Sequence, residues 1–135
     1  MCQTIYYREQ HGMRKIAFRQ DHAKIPVQLK TGGVIWLPWG RHQQELGQLP
    51  MGGWAPLDTV LAGKWDEFMP KPIKIPIEGF DEEDIAGQPH YFKLVGGQCV
   101  QGLLGRVNKE LRAYIVTIRP TRRESIFSRW PKIVV

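Results

Sequence analysis

The sequence has few cysteines and no long apolar run. Its 135 residues include two cysteines, Cys2 and Cys99, which are too few for a disulfide framework. The longest uncharged apolar-rich run, residues 31–40, is about half as long as a membrane-spanning helix. The N-terminal residues do not place a cationic segment before an apolar one, so we expect no signal peptide. These absences predict a reduced, cytoplasmic protein with no membrane partner.

Motifs for metals and nucleotides are also missing. The four histidines do not follow HxH or HxxxH spacing, and neither cysteine lies in a zinc-like cluster. The chain contains no Walker-type loop, no GxGxxG loop and no GxSxG nucleophile elbow. We therefore expect no metal and no cofactor.

Glycine and proline, in contrast, are frequent. The 14 glycines and 10 prolines divide the chain into short segments, which suits strands better than long helices. Hydrophobic residues make up 42% of the chain, enough for a packed core, and no linker divides it. The sequence predicts one domain over residues 1–135 with an α+β, mainly β fold. We expect a curved antiparallel sheet or barrel-like system with a few short helices, and a monomer.

Individual elements are predicted from β-rich runs and turn glycines. Residues 24–30 and 33–39 form one candidate hairpin, and residues 89–95 and 98–104 form another around Gly96-Gly97. Further strands are predicted at 13–18, 72–77 and 111–118, and short helices at 56–61, 65–69 and 122–130.

The formal net charge of +6 is distributed unevenly. Residues 58–84 are net acidic, whereas the last thirty residues, which include Arg122, Arg123 and Arg129, are strongly basic. A basic block can bind a polyanion such as nucleic acid, and it can equally be an ordinary solvated surface. Charge alone leaves both interpretations open.

Cys2 follows the initiator methionine, and a small second residue normally leads to removal of Met1. The exposed cysteine then carries an α-amine with a pKa of about 8 beside a thiol with a pKa of about 8.5. Such a 1,2-aminothiol can condense with an aldehyde to a thiazolidine, or act as an N-terminal nucleophile on an amide. A chance cysteine without function is the alternative. For Cys99, beside Val100, we expect a small buried core residue.

Residues 78–84 (EGFDEED) place five carboxylates after a predicted strand. Carboxylates at a strand end can have a raised pKa and transfer protons. A solvated loop is the other interpretation, and the residues taken alone favour it.

Five tryptophans are many for this length, and some must be core residues. Trp39 and Trp54 are flanked by glycine and proline and could instead stack on bases, with Arg41 beside the first. Arg129 and Trp130 combine a cation with an aromatic ring at a corner ending in proline. The candidate nucleic-acid contacts are therefore Trp39, Arg41, Trp54, Arg122, Arg123 and Arg129.

Taken in order, these segments resemble the SRAP family (SOS response-associated peptidase, the abasic-site-crosslinking domain). The chain begins Met1-Cys2, as family members do, and residues 36–40 (WLPWG) resemble the central WG-type strand. Residues 53–60 (GWAPLDTV) are similar to the asparagine-alanine-arginine-x-glutamate-threonine motif. Residues 76–83 (PIEGFDEE) resemble the AxGFYEW motif, and residues 126–131 (IFSRWP) resemble the HxRMP motif.

The resemblance implies a DNA-binding protein. Family members bind single-stranded DNA in a basic cleft and capture the aldehyde of an abasic site as a thiazolidine on the N-terminal cysteine. Carried over by motif position, Cys2 is the nucleophile and Glu82 the proton-transfer carboxylate. The implied partner is single-stranded or abasic DNA.

Three motif positions depart from the family. Its asparagine, arginine and histidine fall on Trp54, Pro56 and Phe127. Loss of a catalytic histidine slows an acid–base step by about 10²–10⁴-fold. Two functions therefore stay open, an abasic-site crosslinking protein and a degenerate nucleic-acid-binding module without chemistry. An N-terminal-nucleophile hydrolase that uses Cys2 on an amide is a third.

Overall fold

A computed structural model describes residues 2–120 and 126–135. Arg122 and Arg123, which the sequence places among the candidate DNA contacts, lie outside the described residues. The first six strands are β1 (Thr4–Glu9), β2 (Gly12–Ala17), β3 (Lys24–Gln28), β4 (Val34–Pro38), β5 (Trp54–Pro56) and β6 (Lys71–Ile75). The last six are β7 (Gly79–Glu83), β8 (Pro89–Lys93), β9 (Cys99–Val107), β10 (Glu110–Ile118), β11 (Trp130–Pro131) and β12 (Ile133–Val134).

The strands form two sheets, mostly antiparallel, so the prediction of a mainly β protein is confirmed. The smaller sheet has the order β2-β1-β7-β8. It begins at Thr4, earlier than the sequence predicted, because β1 forms a hairpin with β2 and pairs along its other edge with β7. This second pairing joins the start of the chain to its acidic middle.

The larger sheet follows the path β11-β10-β9-β6-β3-β4, with β12 added to β9 and β5 added to β10. Among the strands in the described part of the chain, only β5 and β10 pair in parallel, and Trp54 lies opposite Ile115. A single parallel bridge between Trp39 and Ala113 brings the end of β4 beside β10. No strand pairing among the described residues closes this sheet into a barrel.

The hairpin predictions had opposite outcomes. The first is confirmed, since β3 and β4 pair antiparallel from Lys24 with Pro38 to Gln28 with Val34. The second is wrong, because β8 pairs with β7 and β9 pairs with β6 and β10. The Gly96-Gly97 turn therefore connects the two sheets instead of joining two paired strands.

Helix is scarce. The α-helix α1 (Leu57–Leu61) confirms the prediction at 56–61, and a 3-10 helix at Asp66–Phe68 falls within 65–69. The helix predicted at 122–130 lies partly outside the described residues. In its described part Phe127 forms a bridge and Trp130 begins β11, so that part is not helical.

The core contains two clusters. The larger combines residues of both sheets, including Cys2, Ile5, Phe80 and Ile115. The smaller packs α1 and the 3-10 helix against β9 and β10 around Leu49, Trp65 and Tyr114. Cys2 therefore belongs to the core that holds the two sheets together, and Cys99 is buried as expected.

Candidate active site around Cys2 and Glu82

Cys2 is fully buried. Its Sγ lies 3.7 Å from the backbone carbonyl oxygen of Thr4, the first residue of β1. Burial raises the pKa of the thiol well above its ordinary value, and the nearby negative charge of Glu82 raises it further. The thiol is therefore protonated at neutral pH in this conformation.

Trp54 holds Cys2 from the other sheet. Its Nε1 donates a 2.7 Å hydrogen bond to the Cys2 carbonyl oxygen, while its backbone pairs with β10. Its ring contacts Phe18, and the Phe18 backbone N–H donates to the carbonyl of Gln3 at 2.8 Å. The segment before β1 is thus fixed at two consecutive carbonyl groups.

Glu82 lies on β7, where the sequence taken residue by residue favoured a solvated loop. Side chains alternate along a strand, and here Phe80 and Glu82 are buried whereas Asp81 and Glu83 are partly or fully exposed. Burial raises the pKa of Glu82 to about 7. The loop prediction was therefore wrong, because the pairing of β7 with β1 and β8 carries its acidic residues into a sheet.

The β1–β7 register brings Cys2 and Glu82 together. Thr4 pairs with Asp81, so Cys2 lies just beyond one end of the pairing and Glu82 follows Asp81 at the same end. Both side chains are fully buried, and the nearby negative charge of Glu82 is one cause of the raised Cys2 pKa. The two residues to which the resemblance assigns catalysis thus share one buried region.

His90 is a neighbour that the sequence did not assign to the site. It is directly opposite Glu82 in the β7–β8 pairing, and opposite residues in a sheet share a face. Its Nε2 lies 2.8 Å from a carboxylate oxygen of Asp84, and this bond lowers the Asp84 pKa. The signal in the sequence was alternation in β8, which places His90 and Phe92 on one face.

A cluster of four aromatic rings packs beside β7. The rings of Phe80, Phe92, Phe127 and Trp130 pack against one another with centroid separations between 4.7 and 5.6 Å. Phe127, which the resemblance aligns with the SRAP histidine, forms a β-bridge with Asp84, and its ring centroid lies 5.5 Å from that of His90. The C-terminal motif and the acidic motif therefore meet, and the ring at the histidine position is apolar.

Trp39 is fully buried, unlike an exposed base-stacking residue. Its Nε1 donates to the Gly53 carbonyl oxygen at 3.0 Å, and its ring contacts Phe18 and Trp54. In this conformation its ring is a core element and presents no face to a nucleic acid.

Arg41 stabilises a loop. Its Nε donates to the Leu49 carbonyl oxygen at 2.6 Å, and a terminal nitrogen donates to the Glu45 carbonyl oxygen at 3.0 Å. These bonds close residues 41–49 into a compact turn. Two of the five N–H donors of the Arg41 guanidinium are therefore used inside the chain.

Arg129 is half-buried at a small surface cavity of about 220 Å³. The cavity lies between α1 and the end of β10, and Asp58 and Arg119 also line it. Two arginines at one cavity can contact a phosphate group. Of the predicted DNA contacts that the structure describes, Arg41, Trp54 and Arg129 are half-buried and Trp39 is fully buried.

Residues 2–120 and 126–135 contain no group of three or more His, Cys, Asp or Glu side chains that could hold a metal ion. In the same residues, no helix has the length and apolar character required to cross a membrane.

Comparisons of the chain with protein-family models, with curated proteins and with solved structures each find no match.

Proposed function

We propose that this protein is an SRAP-like single-stranded DNA-binding protein that crosslinks abasic sites through Cys2, with Glu82 as the proton-transfer group. The two-sheet architecture is, in this proposal, a short variant of the SRAP-type fold. The observation that carries the proposal is the meeting of Cys2 and Glu82 at one end of the β1–β7 pairing. These residues are 80 positions apart in sequence, and each lies in a different motif.

The reaction requires a free α-amine on Cys2. In the full chain this nitrogen belongs to the Met1–Cys2 peptide bond, so Met1 must be removed first. Because the thiol is also fully buried, the segment before β1 must move to admit the aldehyde. Both requirements follow from the chemistry of a 1,2-aminothiol.

Formation of the thiazolidine from the aldehyde and the Cys2 aminothiol releases one water molecule. The amine adds to the aldehyde carbon, and the resulting carbinolamine loses its hydroxyl group as water after it receives a proton. The sulfur then adds to the iminium carbon and the thiol proton leaves, which closes the thiazolidine. Glu82, with a pKa of about 7, is present in both protonation states near neutral pH and can donate the first proton and accept the second.

The DNA strand, in this proposal, contacts basic residues of the C-terminal block. Arg129 contributes at its cavity beside α1, with Arg122 and Arg123 as further phosphate contacts. Trp54 marks the entrance to Cys2, since it is half-buried and bonded to the Cys2 carbonyl.

The test uses protein from which Met1 has been removed, with the new N-terminus verified by intact mass. It is incubated with a single-stranded oligonucleotide that carries one abasic site, and adducts are resolved on a denaturing gel. We expect a covalent adduct that is absent for Cys2→Ala and for protein that retains Met1. Glu82→Gln should slow its formation by about 10²–10⁴-fold.

The matched control is Cys99→Ala, which removes the other cysteine and should leave the adduct unchanged. Absence of an adduct with the processed wild-type protein would contradict the proposal. An adduct that persists in Cys2→Ala would reassign the nucleophile and contradict it as well.

A second candidate is a nucleic-acid-binding module without chemistry. The observation that favours it is the aromatic character of the region, with Trp54 and Phe127 at positions where the family has polar residues. It predicts salt-dependent binding of undamaged single strands that Cys2→Ala leaves unchanged. The triple replacement of Arg122, Arg123 and Arg129 by Ala should weaken binding, which fluorescence anisotropy would measure against an Arg8→Ala/Arg14→Ala control. Binding that ignores ionic strength would contradict this candidate.

A further inference from the structure

A groove of about 870 Å³ opens on the larger sheet, and no residue of the candidate active site lines it. β3 and β6 share one registered pair, Gln28 with Lys74. The groove is bounded by the residues that follow Gln28 and by those that precede Lys74. Its volume falls within the range of roughly 300–1,000 Å³ that is usual for small-molecule sites.

The floor of the groove is aliphatic. Its lining includes the aliphatic side chains of Val27, Ile35, Ile73, Leu104 and Leu111, which come from five different strands. Ile35 is 40% exposed, which is high for a large apolar side chain and leaves its hydrophobic surface in contact with water. Covering this floor with an apolar ligand would therefore be favourable.

Two features argue against a nucleic-acid base as the ligand. Single-stranded nucleic acids are held by stacking on aromatic rings, and the described lining residues include no aromatic side chain. The branched aliphatic side chains instead match a flexible hydrocarbon chain, which adapts to an irregular apolar surface.

The groove also carries positive charge. Lys30 follows β3 on one side, and Lys71 and Lys74 belong to β6 on the other. No carboxylate occurs among the described lining residues, and Lys74 Nζ donates to the Val135 backbone carbonyl oxygen at 3.0 Å. Lys30 and Lys71 are exposed, and no acidic side chain occurs beside them among the described lining residues.

We infer that this groove binds a linear fatty carboxylate, with its hydrocarbon chain on the aliphatic floor and its carboxylate between Lys30 and Lys71. The combination of an aliphatic surface with lysines on both sides selects an amphiphile of negative charge. The site is separate from the Cys2 region, so it stands or falls independently of the crosslinking proposal.

The experiment is an NMR titration of the full chain with laurate below its micelle concentration. We expect saturable shifts of the backbone amides of Ile35, Ile73 and Leu104. Methyl laurate, which lacks the charge, and acetate, which lacks the chain, should bind at least several-fold more weakly.

A charge variant and a floor variant test the two halves of the inference. Lys30→Ala/Lys71→Ala should weaken laurate binding by about 5- to 30-fold, from roughly one exposed ion pair per lysine. The matched control, Lys15→Ala/Lys93→Ala on the smaller sheet, should bind laurate as the wild type does. Ile35→Glu, at an exposed strand position, should abolish binding while the amide spectrum stays folded.

Each contrary result overturns the inference. Equal binding of laurate and methyl laurate would show that the lysines do not recognise the charge. Unchanged binding by the Lys30→Ala/Lys71→Ala variant, shifts at other residues or a lack of saturation would do the same. Groove shifts caused by a single-stranded oligonucleotide in place of laurate would assign the groove to nucleic acid.

Discussion

The indole Nε1 of Trp54 donates a hydrogen bond of 2.7 Å to the backbone carbonyl oxygen of Cys2, 52 positions earlier in the chain. Trp54 itself pairs with Ile115 of the long strand β10. The N-terminal segment is therefore attached to the larger sheet through one side chain, while β1 attaches it to the smaller sheet. This double attachment explains why a residue so close to the chain end is fully buried.

Trp54→Phe should destabilise the fold by about 1–3 kcal/mol, since the carbonyl of a buried residue loses its hydrogen-bond donor. Urea denaturation measures the change. Trp36→Phe is the matched control, because the Trp36 ring packs on Tyr7 and Arg14 and its replacement leaves the Cys2 hydrogen bond in place. Equal losses in the two variants would show that ring area, and not this hydrogen bond, stabilises the N-terminal segment.

Glu82 should make the protein less stable as the pH rises. Its pKa in the folded state is about 7, above the ordinary value of 4.5, so between these values the folded state holds a proton that the unfolded state has lost. The free energy of unfolding should therefore fall between about pH 4.5 and pH 7, by about 3 kcal/mol in total.

Glu82→Gln should remove this contribution, so the variant gains stability relative to the wild type on going from pH 5 to pH 8. Urea denaturation at both pH values measures the difference, and subtraction cancels the contribution of the other titrating groups. A wild-type stability that rises relative to Glu82→Gln over this range would reverse the sign and contradict the burial of an uncharged Glu82.

The Cys2 thiol should react slowly with iodoacetamide at pH 8 in the folded protein, because the thiolate is the reactive form and burial raises the thiol pKa. Glu82→Gln should increase the alkylation rate, since it removes a negative charge that opposes ionisation of the thiol. Peptide mass spectrometry separates Cys2 from Cys99, which serves as the internal reference. A rate at Cys2 that Glu82→Gln leaves unchanged relative to Cys99 would contradict the interaction between the two groups.

Gly40 should not tolerate a side chain. It has a φ of 58°, and a Cβ atom would overlap the carbonyl oxygen of Gly52, where the loop returns toward Trp54. Gly40→Ala should destabilise the protein by about 3 kcal/mol or more. The Gly52 backbone must move to admit the Cβ atom, and the alanine must adopt a positive φ. Gly97→Ala, with a φ of 83° and open space around it, should cost only about 1 kcal/mol. Thermal denaturation of both variants measures this difference. Similar losses of stability in the two variants would contradict the prediction.

Local signals predicted the local parts of this fold. The β3–β4 hairpin was predictable because its two strands and its turn are contiguous in sequence. The same reasoning failed at Gly96-Gly97, since a turn signal shows that the chain reverses but not which strands it then pairs with. β8 and β9 find their partners in different sheets, through pairings that no local pattern encodes.

The candidate site residues could be selected from the sequence, but their surroundings could not. Cys2 and Glu82 could be selected from motifs. The acidic residues around Glu82 indicated a solvated loop, whereas the β1–β7 pairing places Glu82 in the core. Trp39 and Trp54 occur in similar glycine- and proline-flanked segments, and only packing distinguishes the buried ring from the half-buried one. His90 was missed because its relation to Glu82 exists only across the β7–β8 pairing.

The pairing of β1 with β7 also sets an order of events during synthesis. Tyr6 and Asp81, which join these strands by a 2.8 Å hydrogen bond, are 75 positions apart. At a translation rate of roughly 5–20 residues per second, β1 waits about 4–15 s for its partner. During that interval β1 lacks its β7 partner, whereas the finished fold encloses Cys2. Under the crosslinking proposal, removal of Met1 therefore belongs to the nascent chain, and a slow processing step would leave folded molecules with a blocked amine.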